Sequence, residues 1–301
     1  MKCIVTGGLG FIGSSLVDEL IENGHIVYVI DNLSTGSLDY QNEKANYEIK
    51  DILDRTFLFS FFEQIKPDWV FHLAALPRIQ PSFDDPIQHD EVNVRGSINV
   101  IDAVKNIGIK ALVFSSSSAI YGTPTEFPTS EKAAINPLSP YALQKYAAER
   151  YIHILANRLT LPVVSLRYFN PYGPRSFNKK NPFNAYTSVV GIFANQFKNN
   201  LPITITGDGL QERDFIHVRD VASANILVAE KIEITNQNVY NVGYGEKISI
   251  LELGKMFGNN YVFLPEREGE ARITHANISE LQKLGWNPRY KLNESLILND
   301  I

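Results

Sequence analysis

The chain of 301 residues has one cysteine, no excess of positive charge and no apolar run long enough to cross a bilayer. The lone thiol, Cys3, excludes an internal disulfide and suits a reducing compartment. The net charge of -5 shows no excess of basic side chains that would bind nucleic acid. Met1 and Lys2 lead directly into an apolar run, which leaves no room for a signal peptide. We therefore expect a cytoplasmic protein that binds neither nucleic acid nor membrane. The six histidines lack metal-ligand spacing, so we expect no metal site.

Strand and helix signals alternate through residues 1–170, and this alternation predicts a parallel α/β sheet covered by helices on both faces. One predicted helix has its apolar stripe along residues 92–104. The predicted strands are 2–6, 26–30, 47–49, 69–73, 111–115 and 162–167.

The character of the chain changes after Asn170. Residues 171–184 are rich in proline, glycine and polar side chains, which is typical of a loop that leaves a sheet. We therefore expect residues 1–170 to form one domain and residues 171–301 to form mainly a smaller α/β lobe. Residues 213–242 are candidates for a segment that returns to the first domain.

Glycines at positions 7, 8, 10 and 13 follow the first predicted strand and precede a helical pattern. Glycine lets the backbone turn tightly and approach a pyrophosphate, which binds the N–H groups of the helix start. The second strand is followed directly by Asp31, whose carboxylate can accept both ribose hydroxyls of an adenosine. No arginine or lysine follows in residues 32–36, so the pattern favours NAD over NADP. This order predicts a doubly wound sheet of the Rossmann type.

Reactive groups follow in two segments. Serines 115–118 stand at the carboxyl end of a predicted strand, where open parallel sheets bind their ligands. Ser139 and Pro140 suit the start of a helix, and that helix places Tyr141 and Lys145 one turn apart on one face. An ammonium beside a phenol stabilises the phenolate, which can then take a proton from a sugar hydroxyl.

The whole run of motifs resembles the extended short-chain dehydrogenase/reductase family, and within it the branch of NAD-dependent nucleotide-sugar epimerases and dehydratases. The similarity is greatest to UDP-glucose and UDP-N-acetylglucosamine 4-epimerases. It implies a Rossmann-type domain, bound NAD, a UDP- or dTDP-sugar substrate and a homodimer joined through a four-helix bundle. The segments that carry it are Thr6–Gly13, Asp31–Ser34, His72–Ala75, Ser115–Gly122, Tyr141–Lys145, Arg167–Arg175, Gly207–Val218 and Arg267–Arg272.

The resemblance also implies roles for individual residues. The catalytic group would be Ser117, Tyr141 and Lys145. The remaining coenzyme contacts would be Gly7, Gly10, Phe11, Ile12, Asp31, Asn32, Ser34, Thr35, Gly36, Asp51, Ile52, Leu73, Ala74, Ala75, Asn93, Ser115 and Tyr168. The substrate would contact Ser117, Tyr141, Asn170, Arg213, Glu270, Arg272 and Thr274, with Arg267 as a competitor for the role of Arg272.

The serine strand end bears on the reaction. Dehydratases of this kind carry acids there, whereas Ser117 and Ser118 supply only hydroxyls. We therefore expect epimerisation at C4 of a UDP-hexose through a 4-keto intermediate. Another NAD-dependent nucleotide-sugar oxidoreductase or dehydratase stays open, as does a non-catalytic NAD-sensing module. Thr274 is small, and residues 181–186 resemble relatives that accept N-acetylated sugars, so UDP-GlcNAc and UDP-GalNAc are further candidates.

Overall fold

The computed structural model describes residues 1–177, 188–235 and 237–297. The segment 181–186, which bears on N-acetylated sugars, lies outside these ranges. No helix within the described residues is long and apolar enough to span a membrane.

A seven-stranded parallel sheet forms the centre. Its strands are β1 (Lys2–Thr6), β2 (Ile26–Asp31), β3 (Asn46–Ile49), β4 (Trp69–His72), β5 (Ala111–Ser117), β6 (Val163–Tyr168) and β11 (Val239–Val242). Their spatial order is β11-β6-β5-β4-β1-β2-β3. The order reverses between β1 and β4, which is the position at which doubly wound sheets bind ligands beyond their carboxyl ends.

Helices cover both faces of this sheet, because alternate strand residues point to opposite sides. Val5 and Phe71 pack with α1 (Phe11–Glu22) and α8 (Val218–Glu230) on one side. Ile4 and Leu112 pack on the other side. The helices of that second layer are α2 (Arg55–Ile65), α5 (Ser97–Val104) and α6 (Pro140–Leu159). Burial of each large apolar side chain contributes roughly 1.5–3 kcal/mol.

The predicted strands lie within two residues of those in the structure, and the predicted α/β class is confirmed. The predicted helix at 92–104 differs, because residues Glu91–Gly96 form a π-helical turn before α5 begins. The hydroxyl of Ser97 donates to the carbonyl oxygen of Asn93 at 2.6 Å, so a side chain competes with the backbone for that acceptor.

A third apolar cluster lies apart from the sheet and includes Phe193, Ile205, Leu253 and Phe257. Short strands belong to this half of the chain, namely β7 (Pro171–Tyr172), β8 (Ile203–Thr206), β9 (Glu212–Arg213), β10 (Ile216–His217), β12 (Ile248–Ser249) and β13 (Tyr261–Leu264). They form the pairs β7 with β10, β9 with β12 and β8 with β13. The remaining helices are α3 (Ile79–Asp84), α4 (Pro86–Asp90), α7 (Val189–Lys198), α9 (Ile250–Phe257), α10 (Ser279–Lys283) and α11 (Leu292–Ile297).

Candidate active site

A cavity of about 380 Å³ lies at the carboxyl ends of the sheet strands and continues to residues of the third apolar cluster. Gly7 and Asp31 line it from the sheet, and Thr206 and Ile250 line it from the other part of the chain. Of the residues expected at the coenzyme or the substrate, its wall contains Gly7, Gly10, Phe11, Ile12, Asp31, Asn32, Ser34, Thr35, Asp51, Ile52, Leu73, Ala74, Ala75, Ser115, Ser117, Tyr141, Lys145, Tyr168, Asn170, Arg213, Glu270 and Thr274.

The glycine turn leaves no space for side chains. Gly7 has a φ of +73°, and a Cβ there would lie 2.7 Å from the backbone nitrogen of Ala74. A Cβ on Gly13 would lie 2.1 Å from the carbonyl oxygen of Gly7. Gly10 precedes α1 and offers no side chain to cap it. The turn thus leaves the positive end of α1 open to an anion such as a pyrophosphate.

Asp31 is buried and its carboxylate is fixed by the backbone. One oxygen accepts a hydrogen bond from the N–H of Leu9 at 2.9 Å, and the other accepts from Leu33 at 2.8 Å. Burial raises the pKa of Asp31, and these two hydrogen bonds oppose that shift. Beside it, the side-chain amide of Asn32 donates to Asp51 at 2.8 Å. The acceptors thus stand where the ribose of an adenosine would follow the pyrophosphate, so the wall fits NAD.

Helix α6 presents the phenol to the cavity. The hydroxyl of Ser139 caps the helix by accepting from the N–H of Ala142 at 3.2 Å. The N–H of Tyr141 donates to the hydroxyl of Ser82 at 3.0 Å, which fixes the first turn. The phenol of Tyr141 and the hydroxyl of Ser117, at the end of β5, line the same cavity. Burial raises the pKa of Tyr141, and Ser117 lowers it.

Lys145 lies one turn further along α6 and is almost fully buried. Its ammonium lies 4.5 Å from the ring centroid of Phe114. Burial lowers the pKa of Lys145 to about 7, and the charge of Glu149 opposes this shift. Burial, with the charge of Lys145, lowers the pKa of His72 to about 3, so that imidazole is neutral. Lys145 can therefore change its charge near neutral pH.

Cationic side chains gather at another part of the wall. The guanidinium of Arg213 lies 3.4 Å from Glu270, and that of Arg267 lies 3.8 Å from the same carboxylate. Arg78 also lines the cavity, and burial together with the charge of Arg267 lowers its pKa. Two of these arginines share one carboxylate and the third lines the same cavity, so this arginine cluster suits a ligand with several negative charges.

Asn170 and Thr274 lie close together beside these arginines. Asn170 has a φ of +37°, and its amide donates to the hydroxyl of Thr274 at 2.8 Å and to the carbonyl of Asp214 at 2.9 Å. The backbone N–H of Asp214 also donates to Thr274, at 3.2 Å. The small hydroxyl side chain is therefore held in place from two sides.

The structure does not bring Arg272, Asn93 or Gly36 into the cavity wall. The carbonyl of Arg272 accepts from Glu212, and its side chain turns outward to pair with Asp208 at 2.7 Å. Arg267 stands in the wall instead. The amide of Asn93 is bonded to both backbone groups of Leu76, which occupies it structurally. Gly36 packs against the carbonyl of Leu9 at the glycine turn.

Sequence reasoning missed part of the wall. Arg78, Thr204 and Thr206 line the cavity but belong to no motif that the sequence singles out, and Gln211 lines it from the segment Gly207–Val218 without a role assigned to it. The one available signal was the arginine after Pro77, a cation in an otherwise uncharged stretch.

Comparison with known proteins identifies the family of this chain. Residues 3–243 match the model of the NAD dependent epimerase/dehydratase family. The chain belongs to this family. NAD is therefore the coenzyme of this chain. The UDP-glucose 4-epimerase of Mycolicibacterium smegmatis is 34% identical over 309 residues, which covers 98% of this chain and 96% of that protein.

Solved structures of this epimerase/dehydratase family superimpose closely. The UDP-glucose 4-epimerase of Thermotoga maritima, crystallised with UDP-glucose, is 36% identical with a TM-score of 0.92, covering 99% of this chain and 97% of that one. The UDP-N-acetylglucosamine 4-epimerase of Methanobrevibacter ruminantium, in complex with UDP-N-acetylmuramic acid, is 37% identical with a TM-score of 0.88. That comparison covers 98% of this chain and 95% of the other.

Proposed function

We propose that this protein interconverts the two C4 epimers of a UDP-hexose, UDP-glucose and UDP-galactose, in an NAD-dependent reaction through a 4-keto sugar. The observation that carries the proposal is that Tyr141, Ser117 and Lys145 line one cavity, which Asp31 also lines. The similar enzymes from M. smegmatis and T. maritima act as UDP-glucose 4-epimerases and support this choice.

The chain's own part in the mechanism is proton transfer and orientation. The glycine turn and Asp31 would hold NAD, which would supply reversible removal of hydride from C4 of the sugar. The Tyr141 oxygen takes the proton of the C4 hydroxyl and later returns it, and Ser117 holds the same sugar oxygen by a hydrogen bond. Burial raises the pKa of Tyr141, so its phenolate needs support. The Ser117 hydroxyl and the nearby Lys145 ammonium supply it.

Substrate recognition falls to the arginine cluster. We assign Arg213 and Arg267 to the diphosphate, because a planar guanidinium donates to two phosphate oxygens at once. Asn170 is a further donor beside them, and Glu270 is the acceptor for ribose hydroxyls. The sugar then reaches Tyr141 between this cluster and the glycine turn.

Water elimination is the less suited alternative. The acids in the described cavity wall are Asp31, Asp51 and Glu270. Two of them lie by the glycine turn, and Glu270 lies among the arginines. None stands beside Ser117, where a dehydratase needs an acid–base pair.

The direct test is to incubate purified protein with UDP-galactose, without added coenzyme, and to follow UDP-glucose by NMR. We expect conversion to a mixture of both sugars with no net reduction of coenzyme. Tyr141→Phe should lower the rate by about 10²–10⁴-fold while NAD stays bound. Stoichiometric coenzyme reduction would instead identify an oxidoreductase. Unchanged biological activity in Tyr141→Phe would identify the sensing module.

N-acetylated UDP-sugars are a second candidate, favoured by the size of Thr274. Its side chain lines the cavity and is held by Asn170 and Asp214. The similar M. ruminantium enzyme is a UDP-N-acetylglucosamine 4-epimerase. If Thr274 leaves space for the acetamido group, the protein should epimerise UDP-GlcNAc. Thr274→Tyr should then abolish that reaction and spare UDP-glucose.

We also propose a homodimer joined through α6. Apolar side chains stand exposed along this helix, with Leu143 at 57%, Tyr151 at 48% and Ile154 at 57%. Their spacing puts them on one face, as in a helix that pairs with another. Light scattering should give twice the chain mass. Ile154→Glu should halve it, whereas Ile234→Glu, at a site 68% exposed elsewhere, should not.

Three expectations accompany this function. We infer that residues 1–170 form the coenzyme domain, joined by α8 and β11, and that residues from 171 onward form mainly the substrate lobe. The free, buried thiol of Cys3 is compatible with the cytoplasm, which fractionation of cells would test. The net charge of -5 speaks against nucleic acid, and a gel-shift assay should show no complex.

A further inference from the structure

Helix α6 carries a third ionisable group on the face that holds Tyr141 and Lys145. Glu149 follows Lys145 by four residues, so the three side chains succeed one another at one-turn intervals. Glu149 is 1% exposed and lies outside the cavity wall. It therefore cannot touch substrate or coenzyme directly.

The carboxylate of Glu149 is fully engaged by neighbouring strands. Arg167 of β6 donates to both oxygens, from Nη2 at 2.6 Å and from Nε at 3.1 Å. The hydroxyl of Ser116 in β5 donates to Oε2 at 2.6 Å. Arg167 also donates to the hydroxyl of Tyr121 at 2.8 Å. One carboxylate thus ties α6 to the two strands that carry Ser115, Ser117 and Tyr168.

A buried ion pair contributes little net free energy to holding a helix in place. Removing two charges from water costs several kcal/mol, and well-packed apolar side chains of similar volume often stabilise a fold as well. The position of the Glu149–Arg167 pair suggests a second effect, on Lys145. Lys145 is itself buried and faces the ring of Phe114, and Glu149 is the carboxylate whose charge acts on it.

We propose that Glu149, oriented by Arg167 and Ser116, is a positioning residue that keeps the Lys145 ammonium charged and aligned beside Tyr141. The helix α6 then holds phenol, ammonium and carboxylate as one unit. The inference rests on the proposed epimerase function only for its kinetic readout.

The other titratable groups near Tyr141, Lys145 and Glu149 do not supply the negative charge that keeps Lys145 protonated. His72 and His153 have pKa values lowered by burial and are neutral at pH 7. Burial raises the pKa of Tyr121 to about 12, so its hydroxyl stays protonated. The remaining charged neighbours of the network are Arg150, Arg167 and Glu131.

The test compares wild type with Glu149→Gln and with the uncharged pair Glu149→Leu/Arg167→Met. The pair avoids leaving a buried guanidinium without its partner. Protein with carbon-13-labelled lysine is titrated by NMR, and the Lys145 signal is identified by its loss in Lys145→Arg. Asp220→Asn serves as control, because Asp220 is also buried and bonded, to the N–H groups of Arg289 and Tyr290.

We expect the Lys145 midpoint, about pH 7 in wild type, to fall by about one pH unit in both Glu149 variants and to stay in Asp220→Asn. The alkaline limb of the epimerase pH profile should move down by the same amount. A stable double variant with the wild-type midpoint would overturn the proposal. If the double variant does not fold, Glu149→Gln decides alone, and a wild-type Lys145 midpoint in that variant would overturn the proposal. The NMR result stands even if no epimerase activity is found.

Discussion

Gly13→Ala is a sharp test of the way in which this chain holds its coenzyme. Alanine normally stabilises a helix over glycine by about 1 kcal/mol. At Gly13, however, the added Cβ would lie 2.1 Å from the carbonyl oxygen of Gly7 and 2.8 Å from the Cα of Gly8, whereas ordinary contacts begin at 3.4 Å. The start of α1 must therefore move away from the turn by about 1 Å, and such overpacking costs about 1–3 kcal/mol.

The displaced helix start is also the site that we propose for the coenzyme pyrophosphate, so we expect NAD affinity to fall at least tenfold, or about 1.4 kcal/mol. Calorimetric titration of coenzyme-free protein with NAD measures this, and urea unfolding measures the stability. Gly254→Ala in α9 is the matched control, because its nearest neighbour would be a flexible Ile205 methyl at 3.4 Å. It should bind NAD normally and gain up to about 1 kcal/mol. Wild-type affinity and stability in Gly13→Ala would refute the close packing of turn and helix as the basis of binding.

Three further outcomes follow from the site. Asp31→Ala should lower the ratio of NAD to NADP affinity at least tenfold, measured by titration with each, because the carboxylate repels a 2′-phosphate. Arg267→Ala should raise the KM for UDP-glucose at least tenfold and Arg272→Ala less than twofold, because only Arg267 lines the cavity. Burial lowers the pKa of Lys145 to about 7 in the folded state, below its unfolded value of about 10.4, so folded protein binds fewer protons between these values. The free energy of unfolding should therefore rise from about pH 7 to about pH 10 in wild type, with a steeper slope than in Lys145→Met.

Much of the sheet could be predicted from local pattern. The buried strands β4 and β5 contain continuous apolar runs in the sequence. The glycine turn and Asp31 both lie within the first thirty-one residues, so their proximity follows from local sequence. The sequence predicts that Tyr141 and Ser117 lie near each other, because the carboxyl ends of parallel strands and the starts of the following helices meet at one edge of the sheet.

Other parts depend on contacts that no local pattern records. Arg267 and Arg272 are five residues apart and chemically identical, and only the pairing of Arg272 with Asp208 turns it outward. The resemblance implies a coenzyme contact for Asn93, and only the structure shows that its amide is bonded to the backbone of Leu76. Thr204 and Thr206 reach the cavity only because β8 packs in the third apolar cluster, far along the chain from the glycine turn.

In the proposed reaction Tyr141 moves a proton while the hydrogen at C4 leaves the sugar and returns to it within one cavity. UDP-glucose carrying deuterium at C4 can be incubated with the protein in ordinary water, and the UDP-galactose formed can be examined by NMR. We expect the deuterium to stay at C4 of the product. Loss of the deuterium to water would contradict it, because C4 would then exchange its hydrogen through solvent.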